Sequence, residues 1–363
     1  MPPIRVLVVD DSAVVRKLLC EVLASNPALE VAGTAPNGNI ALAKIPQINP
    51  DLITLDIEMP GLNGLQTLGE IRKLYPKLPV IMCSTLTERG AAITLEALAL
   101  GASDYVTKPS NSESLAASKG QIQQELVPKI ICLAGRRSAK FSSSPTHLPA
   151  IQRSATQRID VLAIGTSTGG PNALAEVIPR FPADLPVPVV VVQHMPPLFT
   201  RLLAERLNSR SQLAVHEGEA GNVLKPGEAW IAPGGYHMTL VQKGTDVALE
   251  LNQDPPENSC RPAVDVLFRS VADVYGPHVL AVVMTGMGAD GLRGARTIRE
   301  SGGEVFVQDE ETSVVWGMPG AVVAAGQADQ ICPLERISAE VVRRVNAGPR
   351  PANTRLLQAK TKA

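Results

Sequence analysis

Two sets of residues in this 363-residue chain have the types and placement for chemistry. The first is Asp10, Asp11, Asp56, Ser84 and Lys108, each at the end of a short apolar run. Three carboxylates drawn together repel one another. A hard divalent cation such as Mg²⁺ relieves that repulsion through oxygen ligands. A carboxylate beside such a cation can itself be a nucleophile, as in aspartyl-phosphate chemistry. Lys108 would bring a mobile positive charge to a phosphoryl oxygen, and Ser84 a hydroxyl that registers it. The second set is Ser167, His194 and Asp290. Gly165-Thr166-Ser167-Thr168-Gly169 fits G-x-S-x-G, a serine exposed on a tight strand-to-helix turn. Such a serine needs a base, and the base needs an acid to hold its tautomer. Alone, a turn rich in Gly and Ser also reads as a phosphate cradle. The glycine-rich stretch 286–291 has the same second reading, but there Asp290 would oppose a phosphate.

These residues need elements to carry them. Residues 4–9, 51–56, 79–84 and 104–109 are apolar strand-like runs ending in acids, hydroxyls or a lysine. An amphipathic pattern with Val14, Val15, Leu18 and Leu19 follows Ser12, a helix-capping residue. Continuous apolar strands alternating with such helices imply a parallel sheet covered on both faces. A second body repeats the design. Runs 159–164, 188–192 and 279–284 lead into Ser167, His194 and the Asp290 loop, so all three fall on one edge of one sheet. Helical patterns cover 198–207, 264–274 and 292–300, and a short antiparallel hairpin is expected around Trp230, 236–241 and 247–251. The fold class expected is α/β, with two doubly wound domains and mainly parallel sheets. Asp265 is an alternative acid. It lies in the helical pattern 264–274, where an exposed or capping position accounts for it, and Asp290 is preferred.

Composition narrows the function. Hydrophobic residues are 45%, charged residues 19% and aromatics 3%. So few aromatics argue against an extended base-stacking platform. The net charge of −1 argues against a general polyanion binder. That charge is a cancellation. Residues 1–120 are net −2, 121–158 net +5, 159–345 net −8 and 346–363 net +4. No apolar run is long enough to span a bilayer, and the start lacks a signal-peptide layout. A cytoplasmic protein is expected. The five cysteines, Cys20, Cys83, Cys132, Cys260 and Cys332, form no CxxC pair and read as reduced thiols, mostly in cores.

Over roughly residues 3–122 the sequence resembles the receiver domain of bacterial response regulators. The match carries the acid pair Asp10-Asp11, Asp56 followed by Met59-Pro60-Gly61, Ser84, Tyr105 and Lys108-Pro109. The resemblance implies that Asp56 accepts phosphate from a histidine kinase. It implies that Asp11, Asp56 and the carbonyl of Glu58 hold Mg²⁺, with Asp10 assisting through water. Tyr105 matches the family's mobile aromatic, and an ordinary core aromatic accounts for it equally. Residues 158–345 resemble the catalytic domain of the chemotaxis protein-glutamate methylesterase (CheB) family. The matching stretches are 164–170, Gln193-His194-Met195, 261–268 and 284–291. The order Ser…His…Asp differs from the α/β-hydrolase order. Thr166 departs from the Ala or Ser expected beside the nucleophile.

The resemblance implies a phosphorylation-activated esterase. Ser167 would attack glutamate γ-methyl esters on chemoreceptors, with His194 as base, Asp290 orienting it and the Met287 amide facing the oxyanion. Receptor glutamines would be deamidated by the same chemistry. No metal is expected in this second site. The domains expected are a receiver at 3–122, a basic Ser-rich linker at 123–157, the esterase at 158–345 and a basic tail at 346–363. Two other readings are a receiver-linked transcriptional regulator and a non-catalytic interaction module. The first needs a small basic output domain, whereas 159–345 is acidic. No nucleic-acid partner and no membrane insertion are expected.

Overall fold

The computed structural model describes residues 2–108, 115–135 and 157–348. Most of the expected linker (136–156), nearly all of the expected tail and Pro109 lie outside the described residues.

The first domain has strands β1 (Ile4–Val9), β2 (Leu29–Ala35), β3 (Leu52–Asp56), β4 (Val80–Ser84) and β5 (Asp104–Thr107). Helices α1 (Ala13–Ala24), α2 (Gly38–Ile48), α3 (Gly64–Leu74), α4 (Glu88–Ala99) and α5 (Leu115–Gly135) connect and flank them. The sheet is parallel in the order β2-β1-β3-β4-β5. The order reverses between β1 and β3, and α/β sheets bind ligands at the carboxyl side of that point. Local chemistry starts helices α1 to α4. Ser12, Asn37 and Thr87 accept a backbone N–H three residues on, and Asn63 forms a reciprocal capping box with Gln66. Strand β2 has no continuous apolar run in the sequence, and most of its side chains are only half-buried. Helix α5 runs through the boundary expected at 122/123. Its Leu126 and Ile130 are fully buried with Val6, Val8 and Ile81.

The second domain has β6 (Val161–Thr166), α6 (Gly170–Val177), β7 (Val189–Gln193), α7 (Phe199–Asn208), β8 (Ala214–Glu217) and β9 (Glu228–Ile231). The hairpin β10 (His237–Lys243) and β11 (Asp246–Asn252) comes next. After it come α8 (Val264–Tyr275), β12 (Val279–Val283), α9 (Leu292–Glu300), β13 (Glu304–Gln308), α10 (Met318–Ala324), β14 (Gln330–Cys332) and α11 (Leu334–Asn346). Seven parallel strands run β14-β13-β12-β6-β7-β9-β8. The reversal lies between β6 and β12, the strands that lead to Ser167 and Asp290. Trp230 lies in β9 of this main sheet, not in the hairpin as expected. Its buried neighbours Ala229 and Ile231 suit a strand covered on both faces.

The two domains share buried surface. One apolar cluster joins Leu95, Leu98 and Tyr105 of the first domain to Phe199, Leu203 and Leu174 of the second. A second cluster seats Val315 against Val106, Ile122 and Leu126. Among the described residues no helix is long and apolar enough to cross a membrane.

Candidate active site and acidic centre

In the first domain, Asp10 follows β1 and Asp56 ends β3, both buried, while Asp11 is exposed. One carboxylate oxygen from each lies within 4.8 Å of the others. Lys108 reaches in from the end of β5, with Nζ 2.7 Å from Asp10 Oδ2 and 2.7 Å from Asp56 Oδ1. Burial pushes the Asp56 carboxyl up to about 6 against the opposing pull of Lys108, and Asp10 adds to the rise. The Glu58 amide donates to Asp56 Oδ1 at 3.4 Å, which orients the turn carrying the Glu58 carbonyl. Ser84 is fully buried, and its hydroxyl donates to the Thr85 carbonyl at 3.2 Å. All-oxygen donors of this span suit a hard divalent cation. Tyr105 is buried rather than solvent-facing. Its ring stacks on Phe199 of the second domain at 4.8 Å and 8°.

The second site is built at the strand reversal. Thr166 pairs with Gln193 across β6 and β7, so Ser167 and His194 leave the sheet side by side. Ser167 N–H donates to Thr285 O at 3.0 Å, which ties the serine turn to the chain leaving β12. Behind the turn, α6 begins at Gly170 with Gly169 at φ +78°. A Cβ at Gly170 would lie 1.9 Å from Gln193 Oε1 and 2.4 Å from Thr166 Oγ1, so any other residue must displace both side chains. The unexpected threonine is used: the Thr166 hydroxyl donates to Gln193 Oε1. The Gln193 amide in turn donates to Ser167 O at 3.0 Å and His194 O at 3.2 Å. Gln193 thereby brackets Ser167 and His194 from below. It appeared in the sequence only as a neighbour of His194.

Asp290 has the densest set of partners. Its Oδ2 lies 2.7 Å from His194 Nε2 and accepts the Val264 N–H at 2.7 Å. Its Oδ1 accepts from Asp265 N, Gly291 N and Asn258 Nδ2 at 2.8–2.9 Å. Helix α8 has no side-chain cap of its own at Ala263. Asp290 caps it from 26 residues away, and the helix N-terminus favours the negative charge. Burial would raise the Asp290 carboxyl, but the His194 contact and these amides hold it below the usual carboxylate range. For His194, burial favours the neutral ring. The Asp290 bond and the contact with Cys260 outweigh it and push the imidazole up to about 10.

Asp265 differs from expectation. It is buried, not exposed, and accepts Gly294 N–H at 2.7 Å and Asn258 Nδ2 at 2.9 Å. Among the described residues it has no bond to His194, and Asn258 stands between Asp265 and Asp290. The Ser167 hydroxyl makes no hydrogen bond to His194 among the described residues. With Nε2 on Asp290, Nδ1 is the nitrogen left to take a proton, and it lies 3.5 Å from Cys260 Sγ. Met287 sits in the loop after β12. Gly286 N donates to Val315 O at 3.1 Å, and Gly286 O accepts from Gly317 N and Met318 N. The expectation of mostly core cysteines holds for Cys83 and Cys332. Cys20, Cys132 and Cys260 are only half-buried, and none of the five is in a disulfide among the described residues.

The first domain covers this edge. Thr168, next to the serine, donates to Asp104 Oδ2 at 2.9 Å. Asn172 Nδ2 donates to Leu98 O at 2.7 Å, Arg206 donates to Leu95 O, and Arg201 pairs with Glu88 at 2.7 Å. A cavity of about 380 Å³ runs between the domains, with Tyr105, Glu125 and Lys129 on one wall and His194, Cys260 and Arg261 on the other.

Comparison with known proteins agrees with this layout. Residues 162–341 match the family model of the CheB methylesterase, and residues 6–118 match that of the response regulator receiver domain. A protein-glutamate methylesterase/protein-glutamine glutaminase of Trichodesmium erythraeum is 53% identical over 351 residues, which is 95% of this chain and 100% of the relative. A protein of the same name from a Nocardioides species is 51% identical, over 97% of this chain and 98% of its own. The crystal structure of the Thermotoga maritima CheB methylesterase catalytic domain superposes with a TM-score of 0.50 at 43% identity. It covers 51% of this chain and 97% of that one.

Proposed function

The chain belongs to the family of receiver-linked CheB methylesterases. From that premise we propose that it hydrolyses glutamate γ-methyl esters of chemoreceptors to glutamate and methanol, under control of phosphorylation at Asp56. The observation that carries the reading is the His194–Asp290 pair at 2.7 Å on the sheet edge that also holds Ser167. Ser167 attacks the ester carbonyl while its proton passes to His194 Nδ1. Asp290 holds the ring through Nε2 and stabilises the imidazolium that forms. The Met287 amide donates to the tetrahedral oxyanion. His194 returns the proton to the departing methoxide, and methanol leaves. Water then attacks the glutamyl ester of Ser167, with His194 again as base, and frees the carboxylate. Glutamine deamidation follows the same path with ammonia as leaving group.

In the receiver, Asp11, Asp56 and the Glu58 carbonyl would hold Mg²⁺, with Asp10 assisting. Bound there, the cation would neutralise charge on a transferring phosphoryl group. The Asp56 carboxylate takes the phosphoryl group from a histidine kinase, and Lys108 and Ser84 contact it. Phosphorylation then loosens the Asp104–Thr168 and Tyr105–Phe199 contacts and uncovers Ser167. The chain works in the cytoplasm. The domain limits are 3–135 for the receiver and 158–345 for the esterase.

The test is methanol release from a methylated receptor, with Mg²⁺ and a small phosphodonor. Ser167→Ala lowers the rate by about a thousandfold or more, and Asp56→Asn abolishes stimulation by the phosphodonor. Full activity in Ser167→Ala would sink the mechanism.

A further inference from the structure

Cys260 is the cysteine that touches His194 at the esterase edge. Its Sγ lies 3.5 Å from His194 Nδ1, and the other ring nitrogen is held by Asp290 at 2.7 Å. Thiol, imidazole and carboxylate therefore stand in a row that shares its base with Ser167. The row is built rather than incidental. Asn258 and Ser259 both have left-handed backbones, at φ +52° and +62°, conformations that cost energy for residues with a Cβ. Reciprocal backbone hydrogen bonds between Glu257 and Cys260 close this turn. The Glu257 carboxylate is fixed by two bonds from Arg269, at 2.8 and 2.6 Å. The turn aims Asn258 at Asp290 and Cys260 at His194. Cys260 is half-buried and lines the cavity between the domains, so small solutes reach it.

We infer that Cys260 is an oxidative modification site whose state switches the esterase off and on, the reactant being a hydroperoxide. This rests on the assignment of His194 as the base for Ser167. The thiol proton passes to His194 Nδ1, as in other thiol–imidazole pairs. The sulfur then attacks one oxygen of hydrogen peroxide. An S–O bond forms and the O–O bond breaks. The departing hydroxide takes the proton from His194 and leaves as water. The sulfur is oxidised by two electrons to a sulfenic acid, and the peroxide is reduced. The sulfenic acid stands against the ring nitrogen that Ser167 requires, so acyl transfer stops. A small thiol such as dithiothreitol condenses with it, releasing water and forming a mixed disulfide. Attack by a second thiol group restores Cys260.

The test uses the full-length protein and reads the thiol separately from the esterase. Iodoacetamide labelling is followed by peptide mass spectrometry in the wild type, Ser167→Ala and His194→Gln. Cys260 labels about tenfold faster than the half-exposed Cys20 and Cys132, and Ser167→Ala leaves that rate unchanged. His194→Gln lowers it by about tenfold. Methanol release is then measured after hydrogen peroxide and catalase, before and after dithiothreitol. Wild-type activity falls by about tenfold or more and returns with dithiothreitol, as a sulfenic acid requires. Cys260→Ser keeps most of its own untreated rate. Labelling of Cys260 no faster than that of Cys20 and Cys132 overturns the inference, as does peroxide inactivation that persists in Cys260→Ser. A fully active Ser167→Ala would instead overturn the esterase assignment and leave the labelling result standing.

Discussion

At the scale of single residues, the site depends on side chains that hold other side chains. Asn258 separates two buried carboxylates by donating to both, at 2.9 Å to Asp265 and 2.8 Å to Asp290. Truncation leaves the two acids facing each other. Asn258→Ala should lower kcat by about thirtyfold with little change in KM, the loss of about 2 kcal/mol of charged hydrogen bonding. Steady-state methanol release measures it, and an unchanged kcat would count against a positioning role. His194 carries a pH prediction. A serine base works as the neutral ring. An imidazole held up to about 10 is mostly protonated at neutral pH, so the rate should climb with pH towards that value. Cys260 is one cause of the rise, so Cys260→Ala should move the midpoint of the pH profile downward. The candidate residues are legible in sequence because each ends or follows an apolar run, Asp290 through a glycine-rich loop. Asn258 is not, because its role comes from a left-handed turn that no periodicity announces. Asp265 misleads for a related reason: helical spacing suggests an exposed or capping position, whereas the partners that bury it come from α9 and the 258 turn.

At the scale of elements, the parallel strands and the helices that follow them are legible from apolar runs and caps. What sequence does not reveal is that Asp290, in the loop after β12, caps α8, because the cap and its helix are 26 residues apart. Nor do the weak patterns of β2, β8 and β14 announce strands, because edge strands are half-solvated. The β6–α6 turn gives a sharp test. Helix propensity alone favours alanine over glycine by about 1 kcal/mol. At Gly170 the clash with Gln193 and Thr166 should win, so Gly170→Ala should cost about 1–3 kcal/mol of stability and reduce methanol release. Thermal melting and the esterase assay read the two effects. A more stable, fully active variant would show that the Gln193 bracket is dispensable.

At the scale of the molecule, two acidic bodies meet without help from net charge. The contact is instead apolar and locally paired. It includes the Tyr105–Phe199 stack and hydrogen bonds from Asn172 and Arg206 to carbonyls of α4. No sequence pattern distinguishes such an interface from a core, so the sequence reads Tyr105 as a mobile aromatic or a core aromatic and does not show that its ring stacks on the second domain. Replacing both Asn172 and Arg206 with alanine removes about 2 kcal/mol of contact. With the closed form dominant, the open fraction and the basal rate without phosphodonor should rise by about tenfold or more. An unchanged basal rate would show that these bonds do not hold the closed form. The apolar cluster that runs through both sheets has a calorimetric consequence. Domains that share a core melt together, so the resting protein should give a single endotherm. Stable acylphosphate mimicry at Asp56 should split that peak in two, making activation visible as a loss of cooperativity before any substrate is added.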